Sequence, residues 1–240
     1  MSFLNAEWRK LSFANYEVSP SFLSKYVPPG TELDLWEGKC FVSLIGFMFL
    51  NTKILGIKVP FHINFEEVNL RFYVKRFENN TWKRGAVFIK EIVSKPALTF
   101  VANTLYNEHY QTLPMRHYWE ENSVNRVVTY EWKKNKVWQS FKVCAALTAS
   151  EIKKNSETEF ITEHYWGYAK VNNNVSNEYE VTHPRWKEYK VESSEIKVDF
   201  RMVYGADFEF LNHLIPTSVM LAEGSEITVE GKKKIKGNDK

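Results

Sequence analysis

The sequence predicts a mainly β (β-rich α+β) fold, antiparallel, with few short helices. Three observations predict it. Runs rich in β-branched and aromatic residues, several alternating apolar with polar, recur along the 240 residues. Asparagine-containing breaks separate neighbouring runs, as hairpins require. Helix signals are confined to two short stretches.

In chain order, Ser19-Pro20-Ser21-Phe22-Leu23 reads as a cap, a first-turn proline and an apolar face, and it stops before Pro28-Pro29-Gly30. Strand runs follow at 41–49, 68–74, 86–93, 97–102, 126–132, 137–147, 160–171, 179–182, 196–202 and 226–229. The cleanest is 68–74, where Val68, Leu70, Phe72 and Val74 share one side. Asn79-Asn80, Lys133-Lys134-Asn135-Lys136 and Asn172-Asn173-Asn174 supply the turns, because asparagine tolerates the left-handed backbone they use. A second short helix is expected at 207–213. Residues 1–230 read as one β-rich domain, and 231–240 as a disordered lysine-rich tail.

With 44% hydrophobic and 15% aromatic residues the chain can bury a full core. Its formal charge of +3 is matched by residues 229–240 alone, where five lysines meet only Glu230 and Asp239. The body is therefore neutral, and nucleic acid is not an expected partner, since phosphate neutralisation needs cations on a folded face. The longest apolar run, 40–50, is well short of the roughly 20 residues a membrane helix needs. Cys40 and Cys144 both sit in apolar runs and read as buried thiols, not a disulfide framework. With no export signal evident, the expected location is the cytoplasm.

Alternation sends Glu67, Asn69, Arg71 and Tyr73 to the face opposite Val68, Leu70 and Phe72. Facing water, they are solvating groups; facing a lumen, they form a carboxylate, amide, guanidinium and phenol array able to hold and protonate a small polar ligand. Among the histidines, His109 has Glu108 and Tyr110 as neighbours, which suits either an acid/base role or a hydrogen-bonded structural one. No pair of ligands has metal spacing, so no metal is expected. Phosphate-binding glycine loops, serine-hydrolase elbows and dinucleotide fingerprints are absent, and no cofactor is expected.

Five segments together, Trp8-Arg9-Lys10-Leu11-Ser12-Phe13, the Leu23 to Pro29 helix ending, Phe65-Glu66-Glu67-Val68-Asn69-Leu70-Arg71-Phe72-Tyr73-Val74, Gly85-Ala86-Val87-Phe88-Ile89 and Thr182-His183-Pro184-Arg185-Trp186, resemble the YqjF family of conserved bacterial proteins. That family looks like a branch of the acetoacetate decarboxylase-like superfamily. The resemblance implies curved antiparallel sheets in a barrel-like body around a central cavity, with the Glu67 face turned inward. It places 105–110, including Tyr106, near the cavity mouth. It also brings His183 and Trp186 forward as ligand-binding candidates. The decarboxylases use adjacent lysines, one forming a Schiff base while the other lowers its pKa. The corresponding stretch, 109–116, holds no lysine, and Lys90 has Ile89 and Glu91 as neighbours.

The expected function is binding of a small organic anion, with its chemical alteration left open. Arg71 pairs its charge, Glu67 and His109 act as acid or base, and Asn69, Tyr73, Tyr106, His183 and Trp186 surround it. A non-catalytic sensor or carrier, and a structural module in a homo-oligomer, stay open as alternatives.

Overall fold

The computed structural model describes residues 2–237, without the side chains of Leu105 and Tyr106. In chain order the elements are β1 (Leu4–Val18), α1 (Pro20–Leu23), β2 (Glu32–Leu33), β3 (Cys40–Ile54), β4 (Phe65–Glu78), β5 (Thr81–Val93), α2 (Pro96–Val101), β6 (Tyr110–Thr112), β7 (Met115–Glu121), β8 (Asn125–Lys134), β9 (Val137–Glu151), α3 (Glu157–Thr162), β10 (Trp166–Lys170), β11 (Val175–Thr182), β12 (Lys187–Lys197), α4 (Phe200–Tyr204), β13 (Ser218–Val229) and β14 (Lys233–Lys236). The mainly β expectation holds.

One sheet runs β14-β11-β10-β5-β4-β3-β1-β13-β12-β9-β8-β7. A further pairing of β11 with β13, Val181 opposite Val229, closes the stretch from β11 to β13 into a ring. The remaining strands, β12, β9, β8 and β7, continue the sheet and fold back over the ring's outer face. There Val128, Tyr130 and Phe141 pack with Val42, Leu44, Leu70 and Phe72 in one buried cluster. Phe13, Ile45, Phe47, Phe65 and Tyr73 form a second cluster, inside the ring. Most ladders are antiparallel as expected, but β5 pairs in parallel with both β10 and β6.

This double layer buries β4 on both faces. Its even-numbered residues meet the folded-back strands and its odd-numbered residues line the ring interior. The ring closes partly because β1 is bulged: its register with β3 shifts between Arg9 and Ser12, and Lys10 takes φ 54°. Gly224 lies opposite at φ +83°, and a Cβ there would stand 2.0 Å from the Trp8 carbonyl oxygen. Only glycine fits that corner.

All three expected hairpin turns form, with positive φ at Asn79, Asn80, Asn135 and Lys136 and a β10–β11 connection through 172–174. Several strand runs are corrected. Residues 97–102 are helical because Pro96 occupies the first turn of α2. The run 160–171 begins inside α3, which Ser156 caps by accepting from the Glu159 N–H. The run 196–202 ends in α4, capped by Asp199 accepting from Met202 at 2.9 Å. β1, whose bulge and charged residues break the period of two, carried no strand signal. The C-terminal segment is also corrected: Lys233–Lys236 pairs with β11, Ile235 is buried, and Lys233 reaches Glu178 at 2.9 Å. Residues 238–240 of that predicted tail lie outside the described residues.

Candidate functional site

The inward face of β4 carries Glu67, Asn69 and Arg71, and all three line a cavity of about 130 Å³ inside the ring. Glu67 and Asn69 are almost fully buried, at 2% and 1% exposure. Asn69 Nδ2 donates to Glu67 Oε1 at 2.9 Å, and the Tyr110 hydroxyl donates to Glu67 Oε2 at 3.2 Å. The Arg71 guanidinium rests against the rings of Tyr73, at 5.3 Å, and Phe13, at 5.8 Å, and donates through Nη2 to the Ile161 carbonyl at 3.3 Å.

A bulge in β5 decides what faces these groups. Leu70 pairs with Lys90 but Arg71 pairs with Phe88, so Ile89 is the extra residue and the alternation reverses around it. Unbroken alternation from Ala86 and Phe88 puts Lys90 inside. With the bulge, Glu91 points into the cavity opposite Asn69, and Lys90 points out, where its ammonium donates to the Val203 carbonyl. Burial lowers the Lys90 pKa, and Lys134 on the overlying layer lowers it further, so a second ammonium does act on it, though outside the cavity. Among the described residues, no lysine lines the cavity.

Glu108 completes a group of three cavity carboxyls, accepting from the Tyr179 hydroxyl at 2.9 Å. Burial raises Glu67 to about 7, against the hydrogen bonds from Asn69 and Tyr110. Burial also raises Glu108 to about 8, opposed by Tyr179 and reinforced by Glu67. Glu91 is raised well above the usual carboxyl range by burial and by the charges of Glu108 and Glu67. The three therefore hold protons near neutrality, as like charges in one buried space must. Asn69 Oδ1, Arg71 Nε and Glu91 Oε2 are buried without a hydrogen-bond partner.

A second polar unit abuts the same cavity. His164, with its side chain fully buried, shares a hydrogen bond between Nε2 and Asp34 Oδ2 at 3.1 Å, and Arg84 Nε donates to the same oxygen at 2.6 Å. Burial would raise the Asp34 pKa, but His164 and Arg84 hold it low. Burial, helped by the Arg84 and Arg71 charges, lowers His164 to about 4 against the pull of Asp34. The imidazole is thus neutral near pH 7, its Nε2–H directed to Asp34, and its Nδ1 lone pair has no partner.

Not every sequence candidate reaches the cavity. Tyr73 lies on the inward face but beneath the lining, donating to Ser43 Oγ at 2.8 Å. His109 is exposed and lines a separate surface hollow with Lys25 and Asp207, because its neighbours Glu108 and Tyr110 take the inward positions. His183 is half-buried, stacks on Trp186 at 4.1 Å, and borders another surface hollow. Trp186 is buried behind the lining Trp8 and donates to Ser225 Oγ at 2.8 Å. The Tyr106 side chain lies outside the described residues. Sequence reasoning missed Glu91, Tyr179 and the Asp34–His164 pair. Glu91, His164 and Tyr179 lay inside the strand runs 86–93, 160–171 and 179–182, whereas Asp34 left no signal. Among the described residues no group of His, Cys, Asp or Glu is arranged to hold a metal ion, and no helix is long and apolar enough to cross a membrane.

The model of the DUF2071 family, described as an uncharacterized conserved protein, matches residues 5–226. Over 68 residues the chain is 37% identical to the uncharacterized protein YqjF of Bacillus subtilis, a match spanning 28% of each chain. Among solved structures, acetoacetate decarboxylase of Legionella pneumophila superposes with TM-score 0.65 at 13% identity, covering 96% of this chain and 86% of that one. The enduracididine biosynthesis enzyme MppR, complexed with pyruvate, superposes with TM-score 0.66 at 11% identity, covering 100% of this chain and 93% of that one. At these identities the likeness establishes an acetoacetate decarboxylase-like fold.

Proposed function

We propose, on the premise that the chain belongs to the DUF2071 family of uncharacterized conserved proteins, that its cavity binds a small organic anion and transfers protons to and from it without a Schiff base. The observation that carries this reading is the set of buried, unpartnered polar atoms on one wall: a donor at Arg71 Nε beside the acceptor Asn69 Oδ1 and the Glu91 carboxyl oxygen Oε2. Such atoms cost free energy until a ligand of complementary chemistry meets them. A carboxylate accepts from Arg71, and an adjacent hydroxyl or protonated oxygen donates to Asn69.

Glu67 has a pKa near working pH, as a general acid or base requires. Protonated, it can donate to a developing oxyanion; neutral His164, with its free Nδ1, can accept a proton from the same ligand. Tyr73 acts through Arg71, holding the guanidinium plane rather than touching ligand. A pyruvate-bound relative of the same fold is consistent with a ligand of this size. The lysine-free lining argues against decarboxylation through an imine.

Calorimetric titration with pyruvate tests the reading. Binding to the unaltered protein, lost by at least about 30-fold in Arg71→Leu with folding retained, is expected from removal of a buried charge pair. Equal binding by both proteins discards the role of Arg71. Turnover of any screened oxo acid that disappears in Glu67→Gln distinguishes an enzyme from a carrier.

A further inference from the structure

The two walls of the cavity differ in chemistry. On β4 and β5 the inward polar positions are Glu67, Asn69, Arg71 and Glu91, beside apolar Phe65, Ala86 and Phe88; in the ladder beside them, β3 presents only apolar groups, Phe47 opposite Glu67 and Ile45 opposite Asn69. The next step across, from β3 to β1, brings Trp8 opposite Phe49. Phe47 and Ile45 are buried, and Trp8 meets Phe47 edge to face at 5.2 Å. The apolar wall continues to a half-buried rim of Phe3, Leu4, Ile54 and Leu98, beside which Leu55 and Phe100 stand exposed.

From this division we infer that the ligand is amphiphilic: a carboxylic acid with a second oxygen near the acid, carrying a compact apolar substituent, aliphatic or phenyl, that lies on the Phe47–Ile45–Trp8 wall. The inference rests on the anion-binding reading and narrows it. An acid the size of pyruvate meets Arg71 but leaves the aromatic wall wetted, which apolar surface disfavours. The cavity, about 130 Å³, is of the order that accommodates a benzene-sized group in an apolar protein interior. Longer substituents extend along the apolar rim.

The test is a titration series with pyruvate, 2-oxohexanoate, phenylpyruvate and the neutral ketone 2-hexanone, read by calorimetry and by quenching of Trp8 and Trp166, both on the lining. Affinity is expected to rise about fourfold per methylene from pyruvate to 2-oxohexanoate, the ratio that burial of one methylene gives. Phe47→Ser should flatten that rise. Leu98→Ser, on the half-buried rim, repeats the test should Phe47→Ser fail to fold. Pyruvate binding with no gain along the series in the unaltered protein overturns this inference and leaves anion binding standing. Binding of 2-hexanone without any of the acids overturns anion binding instead, and with it the acid-headed ligand; no binding by any of the four overturns both.

Discussion

Glu91 stands directly opposite Asn69 in the β4–β5 ladder, and the two place an unpartnered carboxyl oxygen and an unpartnered amide oxygen on one cavity wall. That pairing exists only because β5 bulges at Ile89, sending Lys90 outward. Deleting Ile89 should remove the bulge and leave the facing of its neighbours unchanged, with Phe88 and Glu91 inward and Lys90 outward. The check is imine trapping: borohydride reduction with pyruvate should leave both the deletion variant and the unaltered protein unlabelled, and a label at Lys90 in either contradicts the register.

The buried carboxyls make stability fall as pH rises. Glu67 sits at about 7 and Glu108 at about 8 in the folded chain, against 4.5 ordinarily. Between those limits the folded state holds more protons than the unfolded one, so unfolding is favoured as pH climbs. For Glu67 alone the loss is about 3 kcal/mol. Glu67→Gln should therefore lose less stability than the unaltered protein between pH 5 and pH 8 in urea unfolding; an unchanged slope places Glu67 in water.

His164 acts with the opposite sign. Its folded pKa of about 4 lies below the ordinary 6.5, so the stability it contributes is present above pH 6.5 and is lost as pH falls toward 4. Nitrogen-15 spectra of the imidazoles at pH 6 should show His164 neutral, protonated at Nε2, with Asp34→Asn disturbing that tautomer. A cationic signal at pH 6 contradicts the Asp34–His164 geometry.

Gly167 lines the cavity and bears on the carboxyl group through Tyr179. A Cβ there would lie 2.1 Å from the Tyr179 ring, whose hydroxyl donates to Glu108. Gly167→Ala should displace Tyr179, cost about 1–3 kcal/mol by overpacking, and weaken ligand binding although residue 167 carries no polar side chain. Thermal unfolding and the pyruvate titration measure the two effects.

Ending the chain after Glu230 removes β14, and with it the burial of Ile235 and the Lys233 contact to Glu178. Loss of one buried isoleucine corresponds to about 2 kcal/mol. The truncated chain should melt several degrees lower than the full chain by calorimetry; equal melting temperatures contradict a docked C-terminal strand.

Local chemistry determined much of this protein. Period two over 68–74 put Glu67, Asn69, Arg71 and Tyr73 on one face, because successive side chains on a strand must alternate, and asparagines set the hairpins at 79–80 and 135–136 because they tolerate positive φ. The direction of that face was beyond local reading. β4 is buried on both sides, its even-numbered residues under the folded-back strands and its odd-numbered ones in the ring, and alternation by itself does not say which side holds a cavity. The bulge that exchanges Lys90 for Glu91 depends on how two strands pair. Glu108, Tyr179 and His164 arrive from segments far apart in the chain, brought together when β11 meets β13 and closes the ring. Sequence spacing encodes no such proximity, since contacts of that separation are set by sheet closure and not by the backbone geometry of any one strand.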